Sequence, residues 1–141
     1  MAASLAPKDQ PKNKPLDKKN KKLTFSGAKN PLFWVRNGEM TVIKGSKASI
    51  GSTSVKAEKV FEVHTIAIEE GDIFYIFSDG YQDQFGGQND TKYLTKNFRK
   101  LLLDISPLPM NKQENYLERE FNEWKKDTPQ TDDILVIGFK I

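Results

Sequence analysis

The sequence contains no cysteine and only one histidine, His64. Disulfides, thiolate metal sites and cysteine nucleophiles are therefore excluded, and any chemistry must come from oxygen groups or from amines and imidazole. No apolar run approaches the roughly 20 residues needed to cross a bilayer, and the N-terminus lacks the apolar centre of a secretory signal. Cytoplasm is the expected compartment, with no membrane span. There is no internal repeat. His64 lies within the apolar segment Val60-Phe61-Glu62-Val63-His64-Thr65-Ile66-Ala67-Ile68. A Ser-His-Asp hydrolase would rest on that one base, and a structural histidine is the simpler reading.

What is present suits one domain: 141 residues, 37% apolar and 29% charged, enough for a modest core. The net charge of +3 is unevenly spread. Residues 1–22 hold seven lysines and two aspartates, so residues 23–141 carry a net charge of −2. Lys8, Lys12, Lys14, Lys18, Lys19, Lys21 and Lys22 are interspersed with Pro7, Pro11 and Pro15, which reads as a solvated, disordered tail over residues 1–22. Basic tails attract nucleic acid and acidic membrane surfaces through counterion release. This one has no base-reading motif, so no specific nucleic-acid partner is expected.

From residue 23 the pattern is that of strands. Leu23-Thr24-Phe25-Ser26 and Leu32-Phe33-Trp34-Val35-Arg36 are short strands, and Asn37-Gly38 suits a tight hairpin into Met40-Thr41-Val42-Ile43. Residues 44–59 read as a surface connection, and residues 60–68 as a β-branched and aromatic strand. Residues 71–78 form another apolar segment before a glycine-rich turn, within which Gly86-Gly87-Gln88-Asn89-Asp90 reads as a mobile loop. Leu94, Phe98, Leu101, Leu102 and Ile105 recur at helical spacing and predict a helix over residues 91–105, ended by Pro107 and Pro109. A second helix from about Asn111 presents Leu117, Phe121 and Trp124 along one side, and residues 134–139 form a last strand. The fold class is α+β: antiparallel β-sheet layers with helices covering one sheet face.

Two acidic groups stand at strand ends. Asp79 closes the apolar segment Gly71-Asp72-Ile73-Phe74-Tyr75-Ile76-Phe77-Ser78, and Asp132-Asp133 opens Ile134-Leu135-Val136-Ile137-Gly138-Phe139. Carboxylates at one sheet edge suit a hard divalent ion such as Mg²⁺ or Mn²⁺. Aspartates also start turns by accepting bonds from nearby backbone amides, and a glycine such as Gly80 after a strand relieves backbone strain. Asp83 and Asp133 fit either a supporting role around a metal or ordinary solvated turns.

The combined wording narrows this. Phe77-Ser78-Asp79-Gly80-Tyr81-Gln82-Asp83-Gln84-Phe85-Gly86-Gly87 and Gln130-Thr131-Asp132-Asp133-Ile134-Leu135-Val136-Ile137-Gly138 resemble SpoIIE-like phosphatases. Phe25-Ser26-Gly27-Ala28-Lys29-Asn30-Pro31-Leu32, Arg36-Asn37-Gly38-Glu39, Ser49-Ile50-Gly51 and Glu70-Gly71-Asp72 follow the order expected for this branch of the type 2C (PPM) metal-dependent protein serine/threonine phosphatases. The resemblance covers residues 23–141 and corresponds to the C-terminal portion of that domain. It implies part of an αββα sandwich, two Mn²⁺ or Mg²⁺ ions in the complete domain, and a phosphoserine or phosphothreonine protein as substrate in bacterial signal transduction. Asp79 and Asp132 match the family's metal ligands, with Gly80 and Asp133 as supporting or backbone groups. In the family, metal-activated water attacks the phosphorus.

The family's N-terminal Asp-Gly motif, whose aspartate bridges both ions, has no counterpart upstream. Only Asp9 and Asp17 precede Leu23, followed by Gln10 and Lys18. A catalytically incomplete site is expected, and no catalytic residue is assigned. The alternative is a noncatalytic interaction module, or a split-domain complement that joins a missing N-terminal half or a second copy of itself.

Overall fold

Leu23 and Phe25 alternate with polar neighbours, and in the structure both are buried while Lys22, Thr24 and Ser26 are only half-buried. That two-residue period is what a strand with one inward face requires. The structure, a computed structural model, describes residues 2–7 (backbone only), 21–47 and 61–141. The elements in chain order are β1 (Ala2–Pro7), β2 (Lys21–Ser26), β3 (Leu32–Arg36), β4 (Glu39–Ile43), β5 (His64–Ala67), β6 (Ile73–Phe77), α1 (Gly80–Asp83), β7 (Phe85–Gly86), β8 (Thr91–Lys92), α2 (Thr95–Ile105), α3 (Met110–Lys125) and β9 (Val136–Lys140).

The strands form a three-stranded sheet ordered β1-β2-β5, a four-stranded sheet ordered β4-β3-β6-β9, and the small β7-β8 hairpin. Every strand pair is antiparallel. The β3–β4 hairpin turns at Asn37 (φ 51°) and Gly38 (φ 77°), the two positive angles that make Asn-Gly a preferred two-residue turn.

The larger sheet is the central layer, and alternation along its strands divides the core in two. Phe33, Val35, Ile73, Tyr75 and Phe77 point to one side, where they join Tyr81, Phe98, Leu102 and Ile105 from the helical layer. Leu32 and Phe74, with Trp34, Ile76 and Phe139 against them, point to the other side and meet Leu23, Phe25 and Ile66 of the smaller sheet. β6 is apolar at every position because it is covered on both faces. The layers therefore run helices, sheet, sheet, and the expected α+β class with helices on one sheet face is what the fold contains.

Several local expectations change. The expected disordered tail includes β1, which pairs with β2 from Ala2↔Ser26 to Pro7↔Lys21; residues 8–20 lie outside the described residues. β2 begins at Lys21, two residues before the expected boundary. Of the expected connection over residues 44–59, residues 48–59 lie outside the description, while Ser46 is buried and bridges to Ala28. Of the strand expected over residues 60–68, residue 60 lies outside the described residues, and within residues 61–68 the strand is confined to β5. The supposed mobile loop at Gly86-Gly87 begins in the β7–β8 hairpin, packed against Trp124, whose carbonyl accepts the Gly87 N–H at 2.9 Å. The helix expected from residue 91 starts at Thr95, because Thr91 and Lys92 pair as β8 and Leu94 turns the chain with φ 74°. Leu94 is 56% exposed rather than part of the apolar face. Its helical spacing continued a real pattern one turn too far.

Candidate functional site

β6 and β9 are antiparallel neighbours with Phe77 opposite Val136. The end of one strand and the start of the other therefore share a sheet edge, and this brings the Asp79 turn to the Asp132-Asp133 segment. Ser78 joins them. Its backbone N–H donates to the Leu135 carbonyl at 2.9 Å, its hydroxyl donates to the Asp133 carbonyl at 3.0 Å, and its Oγ accepts the Leu135 N–H at 2.9 Å. Gly80 lies so close that a Cβ there would overlap the Asp133 carbonyl. The glycine of the Ser-Asp-Gly motif is thus explained by close backbone approach.

The carboxylates are engaged differently. Asp79 occupies the position before α1, yet its side chain makes no capping hydrogen bond, so the turn does not consume its carboxylate. Only its backbone carbonyl acts in the turn, accepting the Asp83 N–H at 3.0 Å. Asp132 Oδ1 accepts the Asp133 N–H at 2.7 Å, the local bond by which aspartate shapes a turn. Both residues are exposed, as is Asp133. Asp83 forms an ion pair with Lys92 at 3.1 Å.

Among the described residues, no three His, Cys, Asp or Glu side chains come together in a group that could hold a metal ion. The acids of this edge therefore do not fit a two-ion centre by themselves. His64 begins β5 in the smaller sheet, and its Nε2 stands 3.7 Å from Glu62. No hydrogen bond among the described residues links it to a serine, and a Ser-His-Asp arrangement has no support.

The turn that carries Asp79 rests on an aromatic cluster. Tyr81 stacks on Phe98 with ring centres 4.6 Å apart and meets Tyr93 edge-on at 5.4 Å, while its hydroxyl donates to the Leu117 carbonyl of α3 at 2.9 Å. Burial raises the phenol pKa of Tyr81 and Tyr93 above the ordinary tyrosine value, and the Glu120 carboxylate adds to both. Both hydroxyls stay protonated and serve as donors. Beside the cluster, a groove of about 690 Å³ between α3 and β9 is lined by Tyr81, Met110, Leu117, Phe121, Ile134 and Val136, and at Ile134 it adjoins the Asp132-Asp133 segment.

Sequence reading assigned no role to Ser78 or to the buried Gln84. Ser78 was legible only as part of a motif. Gln84 carries no periodic signal, although a polar residue between an acidic turn and Phe85-Gly86-Gly87 is itself a cue to look for buried bonding.

The model of the family described as "Stage II sporulation protein E (SpoIIE)" matches residues 15–141. The chain belongs to the SpoIIE family. Among solved structures, the SiaA-PP2C domain of Pseudomonas aeruginosa is similar with a TM-score of 0.75 and 27% identity, over 85% of this chain and 46% of that one. The PP2C phosphatase domain with a fragment of the regulatory domain of the cell fate determinant SpoIIE from Bacillus subtilis gives 0.61 and 19%, over 85% and 34%. The Bacillus subtilis SpoIIE phosphatase domain in a crystal form without domain swapping gives 0.51 and 21%, over 84% and 48%. The two Bacillus likenesses establish the PP2C fold alone. This chain spans about a third to a half of the length of these structures. No curated protein matches it significantly. Among the described residues, no helix of this SpoIIE-family chain is long and apolar enough to cross a membrane.

Proposed function

We propose that this chain is the C-terminal portion of a Mn²⁺- or Mg²⁺-dependent protein serine/threonine phosphatase domain of bacterial signal transduction, acting in the cytoplasm. Asp79 and Asp132 supply part of its metal-binding edge, and Gly80 and Asp133 shape that edge through backbone contacts. The observation that carries this reading is the Ser78 bridge, which puts the Ser-Asp-Gly turn against the Asp-Asp segment. Oxygen donors of this kind suit hard divalent ions. That no three acidic or imidazole side chains group to hold a metal among the described residues supports a further point: the site needs ligands from outside those residues.

The test compares Mn²⁺-dependent dephosphorylation of a phosphoserine peptide by the 141-residue chain with that by a full-length domain carrying this segment. The chain alone is expected to be inactive, and the full domain active. Activity of the full domain should fall by orders of magnitude in Asp79→Asn or Asp132→Asn, and retention of activity would sink those assignments. Turnover by the chain alone, abolished by Asp79→Asn, would refute incompleteness and favour a site shared between copies.

A second reading, a noncatalytic interaction module or split-domain complement, is favoured by the last strand. Leu135 is 53% exposed and Ile137 is 43% exposed at the β9 edge, and unpaired apolar edges invite pairing with another chain. Tight partner binding with no metal requirement would support the noncatalytic module. Activity regained on adding an N-terminal half would support the split enzyme.

A further inference from the structure

Gln84 is wholly buried, and every polar atom of its side chain is used. Its Nε2 donates to the Phe85 carbonyl at 2.9 Å and to the Pro129 carbonyl at 3.0 Å, while its Oε1 accepts the Thr131 N–H at 3.0 Å. Its backbone carbonyl separately accepts the Tyr93 N–H at 2.9 Å and the Trp124 Nε1–H at 3.1 Å. The backbone bonds fix Gln84 to the helical layer whatever its side chain is. Its side chain reaches the segment that leads into Asp132.

Two residues flanking the Asp79 turn thus hold the two neighbours of Asp132. Gln84 binds Thr131 on one side, and Ser78 binds Asp133 on the other. We infer that Gln84 is a positioning residue that sets Asp132 relative to Asp79. Its consequence for metal binding rests on the function proposed above; its effect on the segment does not. The amide is required for chemical reasons, since it must donate to two carbonyls and accept from one amide at once. Glutamate has the same shape but no donor when ionised, and it would set a carboxylate against two carbonyl oxygens.

The experiment is amide exchange and Mn²⁺ paramagnetic broadening by NMR on the 141-residue chain and its Gln84→Glu variant. The carboxylate keeps an acceptor for the Thr131 N–H but faces the Phe85 and Pro129 carbonyls, which drive it from the site, so exchange at Thr131 should rise about tenfold in the variant, with β6 amides such as Phe74 and Tyr75 unchanged. In the wild type, Mn²⁺ should broaden the Asp79 and Asp132 resonances together; in the variant, the Asp132 effect should weaken relative to Asp79. Unchanged exchange at Thr131, or a uniform rise across β6 and α2, would overturn the inference. If Mn²⁺ broadens neither aspartate in the wild type while Gln84→Glu still loosens the segment, the positioning of the segment stands, because it does not depend on an ion held by this incomplete edge, and the metal reading is then decided by the Asp79→Asn and Asp132→Asn tests in the full domain. Should Gln84→Glu not fold, the wild-type Gln84 side-chain amide protons decide the matter. Slow exchange with cross-peaks to residues 129–131 is expected, and rapid exchange would overturn the inference.

Discussion

Arg36 holds Asp72 side-on, with Nε donating to Oδ1 at 2.7 Å and an Nη donating to Oδ2 at 2.6 Å. The guanidinium also reaches Glu69 and the Ala67 carbonyl, both at 2.9 Å, and lies over the Trp34 ring. Asp72 is 1% exposed and precedes β6, whereas Asp79 follows it. This pair therefore locks the end of the central strand remote from the acidic edge. It also accounts for two of the ordered motifs, Arg36-Asn37-Gly38-Glu39 and Glu70-Gly71-Asp72, as halves of one contact.

Asp72→Asn should destabilise the fold by about 2–3 kcal/mol, because it leaves Arg36 without its charge partner. That lies below the roughly 3–5 kcal/mol of a fully buried broken pair, since Arg36 keeps contact with water. Arg36→Lys should also lose stability, because a lysine cannot make the two parallel bonds. Denaturant midpoints at pH 7 measure both.

The Asp72 contribution should depend on pH with a defined sign. Burial pushes its carboxyl up, but hydrogen bonds from Arg36 and the Glu69 N–H outweigh burial and hold it below the ordinary aspartate value. A folded-state pKa below the unfolded one means stability that is fully present above about pH 4 and is lost as pH falls through the folded value. The difference between wild type and Asp72→Asn should shrink in that acid window and stay constant from pH 5 to 8. Unfolding midpoints across pH read this directly.

Ser78→Ala removes the acceptor for the Leu135 N–H and the donor to the Asp133 carbonyl. The site is exposed enough for water to replace part of the loss, so the cost should be about 1 kcal/mol. Faster amide exchange at Leu135, with the remaining β9 amides unaffected, checks that the loss is local.

Gly80→Ala should be worse than its size suggests. The added methyl meets backbone, the Asp133 carbonyl, which cannot swing aside as a side-chain tip would. A penalty of about 1–3 kcal/mol is expected, with chemical-shift changes concentrated in residues 132–135. Gly38→Ala provides a contrast: nothing lies within 4 Å of that position, and the strain of φ +77° alone sets its cost.

What the sequence by itself determined are the features that local chemistry encodes. Alternation made β2 and β3 legible, Asn37-Gly38 marked the hairpin, and Leu117, Phe121 and Trp124 at helical spacing marked the inner side of α3. The order of the motifs carried the family, and with it the layered fold. The pairing of β1 with β2 was hidden, because residues 2–7 are followed by a lysine- and proline-rich stretch and a strand is stabilised by its partner rather than by its own composition. Leu94 was misread because periodicity cannot see a positive backbone angle that ends the pattern. Tertiary structure alone decided that Ser78 reaches Asp133, that Gln84 reaches Thr131 and that Arg36 closes on Asp72. Each of these bonds joins residues 36 to 55 positions apart, and a hydrogen bond across that distance exists only after the sheet has set its register.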